Sequence, residues 1–197
     1  MEDACRICRK QQKKLFLKGE RCFSQKCALI RRNYTAGEHG QARRQRLSEY
    51  GRQLREKQEA KALYGLSEEN LRRIFREANR KEGDLAENLI QMLERRVDSV
   101  LFRAGFFPSR KAARQTVVHG HVKFNDKKIK SPSLLVKAGD ILSIDKKLPI
   151  KRLSMIEPVP WLSVDEKNRK IKILHLPTSE EMKIEFEKEL VIESLSR

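Results

Sequence analysis

Cys5, Cys8, Cys22 and Cys27 carry the spacing C-x₂-C-x₁₃-C-x₄-C, and no other cysteine occurs in the chain. A C-x₂-C pair can place two thiolates on one metal at about 2.3 Å each, and a second pair a dozen or so residues on completes a tetrahedron. Lys10, Lys13, Lys14, Lys18, Arg21 and Lys26 surround the sulfurs. Their field favours thiolate and offsets the negative charge of a tetrathiolate dication centre. Among large apolar residues the stretch has only Ile7, Leu15, Phe16, Leu17 and Phe23, too few to fold it unaided, so metal binding would supply folding energy. Disulfides are rare in a reducing cytosol, and four buried thiols would need more apolar neighbours. The expectation is a structural metal centre, zinc ahead of an iron–sulfur cluster, with no open position for catalysis.

A surplus of 44 Lys and Arg over 27 Asp and Glu gives a net charge of +17. That balance points to a polyanion, either nucleic acid or an anionic membrane surface. No apolar run reaches the length needed to cross a bilayer, so no membrane partner is expected. The opening MEDACRICRK is polar and acid-bearing, which predicts neither a signal nor a transit peptide and a cytoplasmic protein. The charge is uneven. Basic residues crowd the front and middle, whereas Glu180, Glu181, Glu185, Glu187, Glu189 and Glu193 make the tail acidic.

Two basic constellations follow. In the first, Gly37, His39, Gly40 and Gln41 precede Arg43, Arg44 and Arg46, with Arg31, Arg32, Tyr50, Arg52, Arg55 and Lys57 adjoining. Glycines permit close backbone approach to RNA, and arginines reach phosphates bidentately or stack on bases. The plainer alternative is a flexible linker. Arg72 and Arg73 extend the set onto the next helix. In the second constellation, a helix opening at Ser109 offers free N–H groups to a phosphate and projects Arg110, Lys111 and Arg114. His119, His121, Lys123, Lys127 and Lys128 follow on or near a hairpin. The histidines read as hydrogen-bonding or stacking groups rather than metal ligands. No phosphate-binding glycine loop with Lys-Ser/Thr, H-E-x-x-H pair or nucleophile elbow occurs, so no catalytic residues are expected. Isolated acids such as Asp98 read as helix-surface or hairpin partners.

These groups need elements to hold them. Ser48 to Tyr64 is helical up to Gly65, with a thin apolar stripe (Leu47, Tyr50, Leu54, Leu63) that should bury little against protein. Ser67 caps a helix carrying Leu71, Ile74, Phe75 and Ala78. Asp84 and Glu87 form a capping box for one long helix from Leu85 to about Ala104. A short helix over RKAARQTVVH ends at Gly120. Beyond it, HVKFNDKKIKSP reads as a hairpin turning at Asn125-Asp126, followed by strands at 134–136 and 141–144 and a second hairpin of WLSV and KIKIL. A short helix is expected over 178–186. The class is α+β.

The stretches CRICRK…LFLKGERCFSQKCALIRR, GEHGQARRQRLSEYGRQLREKQ and YGLSEENLRRIFREA resemble the bacterial-type family of small-subunit ribosomal protein four. RRVDSVLFRAGFFPSRKAARQTVVHGHVKFNDKKIKSPSLLVKAGD is similar to the αL RNA-binding domain named after that family. The resemblance implies an N-terminal four-cysteine zinc knuckle with a basic extension (1–42) and a helical rRNA-binding domain (43–93, with 176–197 packing back on it). It also implies an inserted αL domain with a small antiparallel sheet and a following hairpin (94–175). It implies a structural protein of the small ribosomal subunit that binds a 16S rRNA 5′-domain junction and nucleates assembly of the body. Such a protein touches the fifth small-subunit protein, lies near mRNA where it enters the subunit, bears on translational accuracy and in some members represses its own message. An RNA-modifying enzyme or RNA-binding regulator that borrowed the αL domain is the alternative class. Three departures stand out: Met-Glu-Asp-Ala replaces the usual basic arm before Cys5, Asn125-Asp126 replaces the common Asn-Gly, which predicts a looser turn, and Leu195 stands in the tail where an aromatic is frequent.

Overall fold

A computed structural model describes residues 3–42, 46–150, 152–153, 156, 159–182, 184 and 186–197. The chain forms two compact units: Met1–Arg73 with Ile184–Arg197, and Ile74–Lys183. The first division falls inside helix α5 (Glu68–Asn79), whose capping Ser67 accepts a hydrogen bond from the Asn70 N–H at 3.2 Å.

The first unit begins with α1 (Ala4–Gln11), capped by Asp3, and the short helices α2 (Glu20–Phe23) and α3 (Ala28–Arg31). Leu15 and Leu17 pack with Ala4 and Cys8 into a small core against which Ile7 and Ala62 lie. Helix α4 (Glu49–Tyr64) starts at Ser48, whose hydroxyl accepts from the Gly51 N–H, and stops at Gly65, whose φ of 62° favours glycine. The sequence stripe misjudged this helix. Leu47 and Tyr50 are exposed, and the buried face is Gln53, Lys57, Glu59, Ala60, Leu63 and Tyr64. Polar side chains are buried here because each has a partner. Gln53 donates to Glu193 at 2.7 Å, Lys57 meets Glu68 at 3.1 Å, and Glu59 takes Lys13 at 3.1 Å. The glutamates 56 and 193 belong to α4 and to α9 (Lys188–Ser196), which packs on α4, and the Glu187 N–H donates to Glu56. Phe186 meets Tyr64 edge-on at 6.4 Å. Of the helix expected over 178–186, residues 183 and 185 lie outside the described residues, and the part up to Met182 is a turn, its hydrogen bonds running from the Glu181 and Met182 N–H groups back to the Thr178 carbonyl.

In the second unit the expected long helix is two, α6 (Leu85–Glu94) and α7 (Val97–Arg103). Arg96 is extended (φ −65°, ψ 140°), and the backbone around it bonds sideways. The Val97 N–H donates to Leu134 and the Val136 N–H donates to Arg95, forming a bridge between Arg96 and Leu135. The same bridge accounts for 134–136, which is not a strand of the sheet. Helix α8 (Arg110–Val118) follows, capped by Ser109.

Strands β1 (Val122–Phe124), β2 (Lys127–Ile129), β3 (Ile141–Ile144), β4 (Leu162–Asp165) and β5 (Lys170–Ile173) form an antiparallel sheet in the order β2-β1-β3-β5-β4. Its inner face, Val122, Leu142, Ile144, Ile171 and Ile173, packs with Ala113 and Val117 of α8, Leu101 of α7 and Trp161 into one core. The β1–β2 turn is pinned rather than loose. Asn125 and Asp126 both have positive φ (45° and 66°), and Asn125 donates to Asp140 at 2.8 Å while accepting from the Ile141 N–H at 2.9 Å.

Candidate metal centre and nucleic-acid interface

Cys5 and Cys8 lie one turn apart on α1, so both sulfurs leave the same face. Cys22 sits on α2 and Cys27 caps α3, and all four cysteines line one cavity with Ala4, Leu17 and Lys18. They are free thiols, and all but Cys5 are buried. The Lys18 N–H points at Cys22 Sγ at 3.4 Å, and the Leu15 N–H bonds Cys8. Burial pushes both of these thiols up, and the two N–H groups act against that rise. Lys18 also holds Asp3 at 2.8 Å, tying the loop before α2 to the start of α1. Four soft donors on one cavity, two met by backbone N–H groups, suit a tetrahedral thiophilic metal. Among the described residues, no group of three or more His, Cys, Asp or Glu side chains is drawn close enough to hold a metal ion. The thiols therefore share a cavity without forming a ligand shell.

At the end of α3 and after it, Arg31, Arg32, His39, Gln41 and Arg46 are exposed. Arg43 and Arg44 lie outside the described residues. The loop over 34–40 is built, not slack. Thr35 Oγ1 donates to the Gly40 carbonyl at 2.9 Å, and a Cβ at Gly40 would collide with the Thr35 carbonyl oxygen. Arg9 holds the loop from α1, donating to the carbonyls of Tyr34 and Thr35 at 3.0 and 3.1 Å with its guanidinium 4.5 Å from the Tyr34 ring centroid. Sequence reasoning missed Arg9, because nothing in CRICRK separates it from its basic neighbours. On α4, Tyr50 and Arg52 are exposed. Arg55 and Lys57 are not the surface cations the sequence suggested. Arg55 clasps the end of α1 through the Gln11 carbonyl and, at 3.1 Å, its side chain, and Lys57 is turned onto Glu68. Arg72 and Arg73 are exposed on α5, Arg72 beside Glu68 at 3.4 Å.

In the second unit Ser109 is buried as a cap, accepting from the Ala112 N–H at 3.3 Å. Arg110 is also buried, 3.2 Å from Glu94 and over the Phe102 ring, so its charge is spent inside. Lys111 and Arg114 lie on the outer side of α8, both exposed. Asp98 is no surface acid. It is 1% exposed, forks Arg96 at 2.7 and 3.0 Å, and faces Arg114 at 3.7 Å. A buried carboxylate thus steadies an exposed guanidinium. His119 and His121 stand with ring centroids 6.4 Å apart, and His121 is 3.9 Å from Asp145. Lys123, Lys127 and Lys128 are exposed on the hairpin.

Residues 2–94 match the family described as ribosomal protein S4/S9 N-terminal domain, and residues 95–142 match the S4 domain. The chain is 44% identical to the small ribosomal subunit protein uS4 of Syntrophomonas wolfei, over all of this chain and 98% of that protein. It is 44% identical to the protein of the same name from Caldicellulosiruptor bescii, covering 98% and 96% of the two chains. For Clostridioides difficile the figures are 43%, 98% and 97%. With a fold of helical unit and small antiparallel sheet, and with likeness running end to end, the chain belongs to the family of small ribosomal subunit protein uS4.

Proposed function

We propose that the protein is a structural, non-catalytic component of the small ribosomal subunit in the cytoplasm, where it binds 16S rRNA. The observation that carries this reading is the end-to-end likeness to small-subunit proteins at 44% identity, joined to a net charge of +17. Two basic surfaces do the binding. One is the Arg31, Arg32, His39, Gln41 and Arg46 region with Arg43, Arg44, Tyr50 and Arg52, and the other is Lys111 and Arg114 of α8 with the hairpin that follows. Shape and phosphate position set specificity, because an A-form helix hides its major-groove edges from side chains. The finer partners are a junction in the rRNA 5′ domain, the fifth small-subunit protein and mRNA near where it enters the subunit. The acidic α9, packed on α4, stays away from phosphate. An RNA-modifying enzyme is disfavoured because the relatives matched end to end are named small ribosomal subunit proteins.

A structural zinc held by Cys5, Cys8, Cys22 and Cys27 belongs to the same reading. Bound there, it would cross-link α1 to α2 and α3 and add folding energy to a stretch with a very small core. The function is tested by sedimentation of native protein with the small subunit and by binding to the isolated 5′-domain RNA. With six to ten phosphate contacts, affinity should fall on the order of 10³–10⁵ between 50 and 200 mM salt. Affinity insensitive to salt, or absence from the subunit, would overturn the reading.

A further inference from the structure

We propose that the solvent face of the five-stranded sheet is a separate RNA platform that takes the phosphate backbone of an A-form helix. It rests on the RNA-binding reading above, shares the hairpin residues Lys123 and Lys128 with it, and adds Ser143, Ser163, Lys170 and Lys172, which that reading does not use. The strand register lines them up. Lys128 pairs with Lys123, Lys123 with Ser143 and Ser143 with Lys170, making one rung across four strands. On the next rung Lys172 pairs with Ser163. Side chains alternate along a strand, and the intervening residues are the core of the sheet's inner face, which α8 covers. The rung therefore faces away from α8. Lys123, Lys128, Lys170, Lys172 and Ser163 are exposed and Ser143 is half-buried.

Three observations point to a polyanion on this face. Like charges directly opposite one another weaken a sheet, and Lys123 and Lys128 are so placed. Among the described residues none of the four lysines has an ion pair within 4.0 Å. The bordering acids are otherwise engaged. Asp165 accepts from Asn168 at 3.0 and 2.8 Å, and Asp145 accepts from the Lys147 N–H at 3.0 Å and faces His121. Asp165 stands opposite Lys170 in the register and Asp145 lies near Lys128, but neither closes to an ion pair with these lysines, and four lysines against these two acids leave the face positive. Lysines with a serine hydroxyl among them over about 14 Å, three inter-strand spacings, suit phosphates and 2′-hydroxyls across a shallow groove. A protein partner would need a buried aromatic or aliphatic anchor. Here the large apolar side chains, Ile141 and Leu174, are exposed but stand together at one end of the face, where Ile141 is opposite Lys172, and the rest of the face is lysine and serine.

The test uses the full chain and 5′-domain RNA, with affinity measured from 50 to 200 mM salt. K170Q/K172Q should bind about tenfold more weakly at 100 mM, with a salt slope lower by about two. K137Q/K167Q removes the same charge from exposed turns off both rungs and should leave the slope unchanged. K111A/R114A reports the α8 surface. If it weakens binding while K170Q/K172Q keeps wild-type affinity and slope, the sheet platform is overturned and the RNA-binding reading stands. If wild-type binding ignores salt and neither variant matters, that reading itself falls. If K170Q/K172Q binds RNA normally but fails to join reconstituted subunits, the face takes a protein and the proposal is overturned.

Discussion

Glu94, 1% exposed, faces Arg110 at 3.2 Å while gripping Arg103 through bonds of 2.8 and 2.9 Å. One buried carboxylate at the end of α6 thereby anchors α7 and α8. Removing it leaves a guanidinium in the core without its counter-charge. Glu94→Ala should cost about 3–5 kcal/mol in urea unfolding. Glu94→Gln, which keeps acceptor capacity, should cost less. A loss below about 1 kcal/mol would mean that water reaches Arg110.

Arg110 and Arg114 sit one turn apart on α8 yet have different duties. Arg110→Ala should lower stability and leave the salt slope of RNA binding near wild type. Arg114→Ala should leave stability within about 0.5 kcal/mol and lower the slope by about one. Paired unfolding and binding curves separate the two. Equal effects of both variants on the slope would return Arg110 to the surface set.

Glu68 receives Lys57 at 3.1 Å and Lys61 at 3.0 Å. Burial acts to raise its pKa, but the hydrogen bonds from Lys61 and Lys57 outweigh it and hold the carboxyl below its usual range. A carboxyl lowered in the folded state contributes stability above its unfolded pKa and loses it as pH falls through the folded value. Its share should therefore decline below about pH 4.3 and vanish once the folded carboxyl is protonated. With the side chain 36% exposed, solvent screening limits it to about 0.5–1 kcal/mol. Glu68→Gln should flatten that acid limb in pH-dependent melting.

Asp126 occupies a left-handed position (φ 66°) that glycine adopts without strain. Asp126→Gly should gain up to about 1 kcal/mol in thermal melts, provided the pinned neighbour keeps the turn closed. Asp140→Ala frees Asn125 and should cancel that gain. If glycine destabilises in both backgrounds, the added freedom of the unfolded chain outweighs relieved strain.

Local signals were the legible part of this chain. The caps Ser48, Asp84 and Ser109 and the alternation of KIKI each act within a few residues, and all four mark where an element begins or runs. What escaped was set by partners distant in sequence. The break at Arg95–Arg96 comes from a bridge to Leu135, and the burial of Gln53 comes from Glu193. The α4 face misled for the same reason, because its polar residues are inside only with their partners. The cysteine spacing was readable because it needs no tertiary information, and the basic clusters were readable as clusters. Which cations stay outside was not, since Lys111 and Arg110 are adjacent and only Arg110 is drawn onto Glu94.

The cysteine cavity gives the last test. Around Cys8 the core is little more than Ala4, Leu15 and Leu17, which is small for holding three short helical segments. A cross-link is therefore worth most here, and thiolate ligation supplies one without lengthening the chain. Protein purified without added metal should hold about one zinc per chain by elemental analysis, or iron in cluster ratio with visible absorbance. Cys8→Ser should lose the metal. It should also raise amide hydrogen exchange across 4–31 while the sheet of the other unit exchanges as before. Because four protein ligands would leave a metal no open position, the expected defect is structural: lost protection first, and weaker RNA binding by the adjoining loop that Arg9 holds. Cysteines recovered as disulfides from reduced protein, or full protection in the metal-free chain, would leave these thiols as ordinary core.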